Sequence, residues 1–97
     1  MKEKITGDMI NLLYDTLIKV QTREDCEILL SDLCTVNEVL QMAQRVKAAE
    51  LLLKGNTYAQ VIAQTDISSA TLSRVSNSIR HGKGGYRKFI EVKKEEN

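Results

Sequence analysis

Apolar residues recur with a helical period along residues 8–20, which predicts a first helix there. They fall on most sides of this helix, at Met9, Ile10, Leu12, Leu13, Leu17, Ile18 and Val20. A helix that is apolar on most sides needs packing partners on most sides, and a 97-residue chain supplies few of them. The pattern therefore predicts that this segment packs against a second copy of the chain.

Polar residues mark the starts of two further helices. Thr22 is placed to cap the second, and Thr35 with Glu38 forms a capping-box pattern at the start of the third. Gly55 is placed to end the third helix in a left-handed conformation. Three glycines between positions 82 and 85 predict a loop before a last helix over residues 86–95.

Residues 56–81 carry the pattern of a helix-turn-helix. Thr57 is placed to cap a short helix that ends near Gln64, and Ser68 to cap a helix that ends near Arg80. Asp66 occupies the turn position where the backbone tends towards the left-handed region, which aspartate tolerates better than most residues. The apolar residues placed to hold the two helices together are Val61, Ile67, Leu72 and Val75.

The whole pattern predicts an all-α chain that forms a single domain over residues 1–97. Within it we expect dimerisation helices in residues 1–54, the helix-turn-helix in 56–81 and a C-terminal helix in 86–95. The absence of proline and the scarcity of aromatic residues agree with a helical protein. No apolar run reaches membrane-spanning length and no signal peptide opens the chain, so we expect a cytoplasmic protein associated with the nucleoid.

The small net charge hides an asymmetry between the two halves. Residues 1–41 hold four basic and eight acidic side chains, whereas residues 42–90 hold eight basic and two acidic ones. An acidic half beside a basic half suggests that only the second meets a polyanion, although chance clustering on a solvated surface is an open alternative.

Neither metal binding nor catalysis is indicated. Cys26 and Cys34 lie eight positions apart in one predicted helix, too far to bond each other, and we expect two small buried apolar side chains. His81 is the only histidine, so a zinc site lacks ligands and a histidine-based catalytic triad lacks partners. We therefore expect no enzyme, no metal and no cofactor.

The second helix of the helix-turn-helix offers short polar side chains at its first turn, as a helix entering the major groove requires. Their hydroxyls can donate to or accept from base edges, and a methyl group can pack on thymine. The candidate DNA-contacting residues are Ser68, Ser69, Ala70, Thr71 and Ser73, although Ser68 is better explained as a helix cap. The alternative for all of them is a solvated helix face.

Basic residues around the motif are candidates for contacts with DNA phosphates, which supply affinity without reading sequence. These residues are Arg45, Lys47, Arg74, Arg80, Lys83, Arg87 and Lys88, of which Lys47, Arg80 and Lys83 complete the predicted interface. The first helix of the motif holds no lysine or arginine, so we expect modest affinity.

Three runs resemble the tryptophan repressor superfamily, and most closely its YerC/YecD branch: QRV at 44–46, ELLLKG at 50–55 and ATLSRVSNS at 70–78. The resemblance covers roughly residues 30–90. It implies six helices per chain, an intertwined homodimer and two recognition heads that face successive major grooves of double-stranded DNA.

The resemblance also implies an effector pocket. In tryptophan-responsive members two arginines sandwich the indole ring and a serine holds the amino group, and the matching residues here are Arg45, Arg74 and Ser78. Responsive members have glycine directly after the second arginine, whereas this chain has Val75. A stiff β-branched side chain there disfavours tryptophan as the corepressor, and the simplest role for Val75 is in the core. The arginines would then pair with acidic neighbours or with phosphates.

The leading hypothesis is a sequence-specific transcriptional regulator that represses by occupying its operator as a homodimer. One alternative is a protein-interaction module that keeps the scaffold without an operator, and another is a DNA-binding accessory to a mobile element or a replication factor. The sequence indicates neither the operator nor the regulated genes.

Overall fold

The computed structural model describes residues 1–92, which form six α-helices and no strand. The helices are α1 (Lys2–Leu17), α2 (Arg23–Leu33), α3 (Val36–Leu53), α4 (Tyr58–Thr65), α5 (Ser69–His81) and α6 (Gly85–Phe89). The chain divides into two compact units, one of residues Met1–Val36 and one that starts at Asn37. The all-α prediction is confirmed for the described residues. None of their helices is both long enough and apolar enough to cross a membrane.

The first unit consists of α1 and α2. Helix α1 begins six residues before the predicted start, because the Met1 carbonyl accepts the first helical hydrogen bond from Ile5 and the charged residues between them are good helix formers. It ends earlier than predicted because the next turn tightens, with the Val20 N–H bonding the Leu17 carbonyl. Helix α2 starts as predicted, with the Thr22 hydroxyl accepting from the Asp25 N–H at 3.0 Å.

The two cysteines correct one expectation. Cys26 is exposed and Cys34 is half-buried, and both thiols are free. Cys34 also lies just past the last residue of α2, with an extended backbone. The prediction that both are buried is wrong for the single chain, because no residue of α1 or α2 is buried within it.

In the second unit, α3 ends as the sequence predicts. Gly55 adopts φ 95°, and its N–H bonds the Leu52 carbonyl while the N–H of Asn56 bonds the Leu51 carbonyl. These two bonds form a Schellman motif, which satisfies carbonyls that the helix end leaves open. The Asn56 side chain donates a further bond to the Leu51 carbonyl at 3.0 Å.

Helices α4 and α5 are joined by a short turn. A capping box between Thr57 and Gln60 starts α4, and Ser68 caps α5. Asp66 between them has φ 58° and ψ 21°, the left-handed conformation predicted for this position. The Gln44 amide of α3 donates to the Thr65 carbonyl at 2.9 Å, which ties α3 to the end of α4.

The core of this unit lies where α3, the turn and α5 meet α4. The four residues predicted to hold the helices together are all buried, which confirms that prediction: Val61, Ile67, Leu72 and Val75. They pack with Ala48, Ala49 and Leu51 of α3. The two alanines have small side chains, which leaves room for neighbouring residues to pack close to α3.

Helix α6 is shorter than predicted. The sequence suggests a helix over residues 86–95, whereas α6 ends at Phe89 and Ile90 is extended. Tyr86 and Ile90 are partly buried against the core, and the extended backbone at Ile90 brings its side chain there. Positions 93–95 of the predicted range lie outside the described residues.

Candidate functional site

The first turn of α5 presents a polar surface. Ser69, Ala70 and Ser73 are exposed, whereas Leu72 on the opposite face is fully buried. Burial of one face fixes the helix and leaves the other free, so three of the predicted contact residues are available to a partner. Thr71 is half-buried and lies towards the cavity described below.

Ser68 makes two hydrogen bonds with Thr71. Its hydroxyl oxygen accepts from the Thr71 N–H at 3.1 Å, and the hydroxyl itself donates to the Thr71 hydroxyl oxygen at 2.9 Å. The first bond caps α5 and the second holds the Thr71 side chain. The structure therefore favours a capping role for Ser68 over direct contact with a base.

The basic residues of the predicted interface fall into two groups. Arg80 and Lys83 are exposed, and no carboxylate of the described residues pairs with them. Lys47, in contrast, donates to Glu50 at 2.6 Å, and Lys54 lies 3.7 Å from the same carboxylate oxygen. The bond from Lys47 is the main cause that lowers the pKa of Glu50. This partner offsets the charge of Lys47, which makes it a weaker candidate for a phosphate contact.

All four predicted effector residues line one cavity of about 690 Å³ in the second unit. Its walls come from α3, the turn, α5 and α6, and its lining residues are Gln41, Gln44, Arg45, Asp66, Ser68, Thr71, Arg74, Val75, Ser78 and Tyr86. The cavity has the volume of a small-molecule site, and most of its lining side chains are polar.

Four lining residues were not among the predicted site residues, and one of them, Gln44, was named only as part of the run at 44–46. Gln41 precedes Arg45 by four positions, so helical spacing alone could have placed both on one face of α3. Asp66 was assigned only a backbone role in the turn. Tyr86 follows the glycine-rich loop, and the path of such a loop cannot be deduced from its sequence.

Val75 is 1% exposed and belongs to the core while also lining the cavity. Its burial supports the predicted role of Val75 in the core. The side chain forms part of the cavity wall, at the position where the resemblance implies glycine in tryptophan-responsive members.

Arg45 is half-buried and Arg74 is exposed. Neither guanidinium lies within 4 Å of a carboxylate among residues 1–92, so the suggested pairing with acidic neighbours is absent from that part of the chain. Two arginines thus line a polar cavity that Asp66 also lines, and neither forms an ion pair within 4 Å among those residues. No cluster of three metal-binding side chains occurs among the same residues.

Comparisons with known proteins agree with this architecture. The family model for the Trp repressor protein matches residues 8–94. A Bacillus subtilis (strain 168) protein named "Uncharacterized protein YerC" is 33% identical over 93 residues, which cover 96% of this chain and 89% of that protein.

Two solved structures share the fold. A candidate Trp repressor from Staphylococcus aureus is 35% identical with a TM-score of 0.82, covering 94% of this chain and 96% of that one. A TrpR-like protein from Eubacterium eligens ATCC 27750 is 27% identical with a TM-score of 0.87, covering 95% of this chain and 99% of that one. The family model spans most of the sequence and the YerC protein is 33% identical over nearly the whole chain, so the chain belongs to the Trp repressor family.

Proposed function

We propose that the protein is a sequence-specific DNA-binding transcriptional regulator that acts in the cytoplasm as a homodimer. The observation that carries this proposal is the exposed polar first turn of α5, held in place by the buried Leu72 and Val75. A helix anchored on one face and polar at its leading turn is the element that reads a major groove. Membership of a family of regulatory DNA-binding proteins supports the same conclusion and argues against catalysis.

The first unit supports the proposal of a homodimer. Helix α1 buries no residue, and it exposes large apolar side chains such as Leu12 at 66%, Met9 at 60% and Ile5 at 59%. Exposed apolar surface of this extent marks an interaction site, and a symmetric dimer is the commonest way to cover it. The second copy would also present a second α5, so that two reading heads contact one duplex and repress by occupancy.

Tryptophan is not the effector in this proposal. Val75 stands where responsive relatives have glycine, and its side chain is fixed in the core rather than free to turn away. Overlap between a ligand and a few methyl-sized atoms of a fixed wall is a form of overpacking, which costs about 1–3 kcal/mol.

One experiment tests the DNA-binding claim. The purified protein is mixed with a random duplex pool in a gel shift at low and at moderate salt, and the retained duplexes are sequenced. We expect an enriched pseudo-palindrome whose half-sites lie about one helical turn apart. Retention without any enriched motif at either salt concentration would contradict sequence-specific binding.

A protein-interaction module is the second candidate, and one observation favours it: α4 carries no lysine or arginine, although the first helix of such a motif commonly crosses the DNA backbone. The same gel shift separates the two functions, since an interaction module enriches no motif.

The homodimer has its own test. Light scattering of the purified protein after size-exclusion chromatography gives its mass, and a stable monomer would contradict the homodimer.

A further inference from the structure

The cavity of the second unit has two arginines whose charges are not neutralised by ion pairs among the described residues. Arg45 from α3 and Arg74 from α5 both line it, and neither pairs with a carboxylate of residues 1–92. Guanidinium groups present planar forks of donors that match the oxygens of phosphate or carboxylate. A bound anion is therefore the partner that these two side chains fit.

The rest of the lining narrows the chemistry of that anion. Ser78 and Tyr86 add hydroxyl groups to the lining that holds the two arginines, while Val75 contributes the only aliphatic side chain. The oxygens of a carboxylate lie in one plane, whereas those of a phosphate point to the corners of a tetrahedron and can meet donors that arrive from different helices. The donor-rich lining thus fits a phosphate better than a carboxylate, and fits an apolar ring poorly.

Asp66 also lines the cavity and opposes anion binding. With two arginines and one aspartate, the cavity has a formal charge of +1. A phosphodiester carries a single negative charge, so it would leave the site neutral. The DNA backbone is such a diester, and the cavity shares Ser68 and Thr71 with the first turn of α5, the surface proposed to face DNA.

We propose that this cavity binds a phosphate group through Arg45 and Arg74, so that a phosphate takes the place of an aromatic amino acid. The group comes either from the DNA backbone beside α5 or from a small phosphorylated molecule. This inference adds a ligand class to the proposed function. Only the DNA backbone as a source of the phosphate rests on that function. If the DNA backbone supplies the phosphate, the regulator binds DNA without a corepressor. If a small molecule supplies it, that molecule regulates the protein.

The first experiment needs no DNA. Inorganic phosphate replaces chloride at constant ionic strength, and NMR follows the Arg74 side-chain Nε–H with the backbone amides of Thr71 and Val75. We expect saturable shifts at all three positions. The R74Q variant should weaken phosphate binding about tenfold, as the loss of one charged hydrogen-bonding group implies. The control R23Q removes an arginine from α2, outside the cavity, and should leave the affinity unchanged.

Arg74 is exposed, so R74Q should keep the helical circular dichroism of the wild type, and R45Q gives an independent test from α3. R74K keeps the charge without the planar fork and should restore binding only in part. Absence of saturable shifts at the cavity would overturn the proposal, as would equal weakening in R74Q and R23Q.

A second titration, with a 20-base-pair duplex, identifies the source of the phosphate. If DNA supplies it, the duplex shifts the same Arg74 signal, inorganic phosphate competes with it, and R74Q lowers the salt slope of binding by about 1. If a small molecule supplies it, phosphate shifts the Arg74 signal and the duplex does not. Both results support a phosphate site.

The two proposals fail separately. Phosphate binding at the cavity without any duplex binding would remove the DNA-binding function and leave the phosphate site. Duplex binding with no phosphate response at the cavity would overturn the phosphate site and leave the DNA-binding function.

Discussion

Ser68 and Thr71 are joined by a reciprocal pair of hydrogen bonds at the start of α5. The Thr71 N–H donates to the Ser68 hydroxyl oxygen at 3.1 Å, and the Ser68 hydroxyl donates to the Thr71 hydroxyl oxygen at 2.9 Å. Because Ser68 is the donor in the bond between the two hydroxyls, the proton of the Thr71 hydroxyl is not used there and is available to another acceptor. One serine therefore both starts the helix and orients the side chain that follows it by one turn.

The first prediction concerns this cap. Ser68→Ala removes the acceptor of the Thr71 N–H and should lower the free energy of unfolding by about 1 kcal/mol. Ser73→Ala is the matched control, because Ser73 is exposed within the same helix, and its effect should stay within about 0.5 kcal/mol. Urea denaturation followed by circular dichroism measures both. Equal effects from the two substitutions would show that Ser68 does not cap α5.

The second prediction concerns the turn between α4 and α5. Asp66 has φ 58°, where a Cβ atom crowds the backbone and glycine is unstrained. Asp66→Ala should therefore be less stable than Asp66→Gly by about 1 kcal/mol, again by urea denaturation. If the alanine variant were as stable as the glycine variant, the left-handed conformation would not hold in solution.

The third prediction is a pH dependence. The hydrogen bond from Lys47 lowers the pKa of Glu50 below its ordinary value of 4.5. A carboxyl whose pKa falls on folding stabilises the protein above its ordinary pKa, and this contribution is lost as the pH drops through the lowered value. The coupling between Lys47→Gln and Glu50→Gln in a double-mutant cycle should thus be measurable at pH 7 and absent in strong acid. A coupling that persisted in acid would contradict the ion pair.

The fourth prediction concerns Val75. Calorimetry with L-tryptophan should detect no binding at micromolar concentrations, because the Val75 side chain forms part of the cavity wall. Val75→Ala should cost about 2 kcal/mol of stability, since it removes buried methyl groups. Stoichiometric binding of tryptophan at micromolar affinity to the wild type would contradict this account of the cavity.

Local signals in the sequence predicted much of the second unit. Thr57, Asp66 and Ser68 each act on neighbouring backbone groups, and all three have the predicted role. Periodicity likewise identified the buried residues of α4 and α5, because burial there depends on which face of a short helix is apolar.

Long-range features were harder to predict. Tyr86 reaches the cavity only because the chain turns back after α5, and Cys26 is exposed because α2 has no covering layer within one chain. The bond between Lys47 and Glu50 depends on side-chain rotamers of exposed residues, which spacing permits but does not impose. These features depend on tertiary structure, which local sequence patterns do not determine.

The central claim is that the first turn of α5 contacts the bases of DNA, while more distant basic residues contact the DNA phosphates. On a duplex selected from the random pool, Thr71→Ala should reduce the preference at one base pair by about 1 kcal/mol, or about fivefold. Arg80→Ala, at the far end of α5, should instead weaken binding to selected and random duplexes equally and lower the salt slope by about 1. Fluorescence anisotropy against single-base variants of the site measures both effects, and unchanged base preference in Thr71→Ala together with unchanged affinity in Arg80→Ala would contradict the claim.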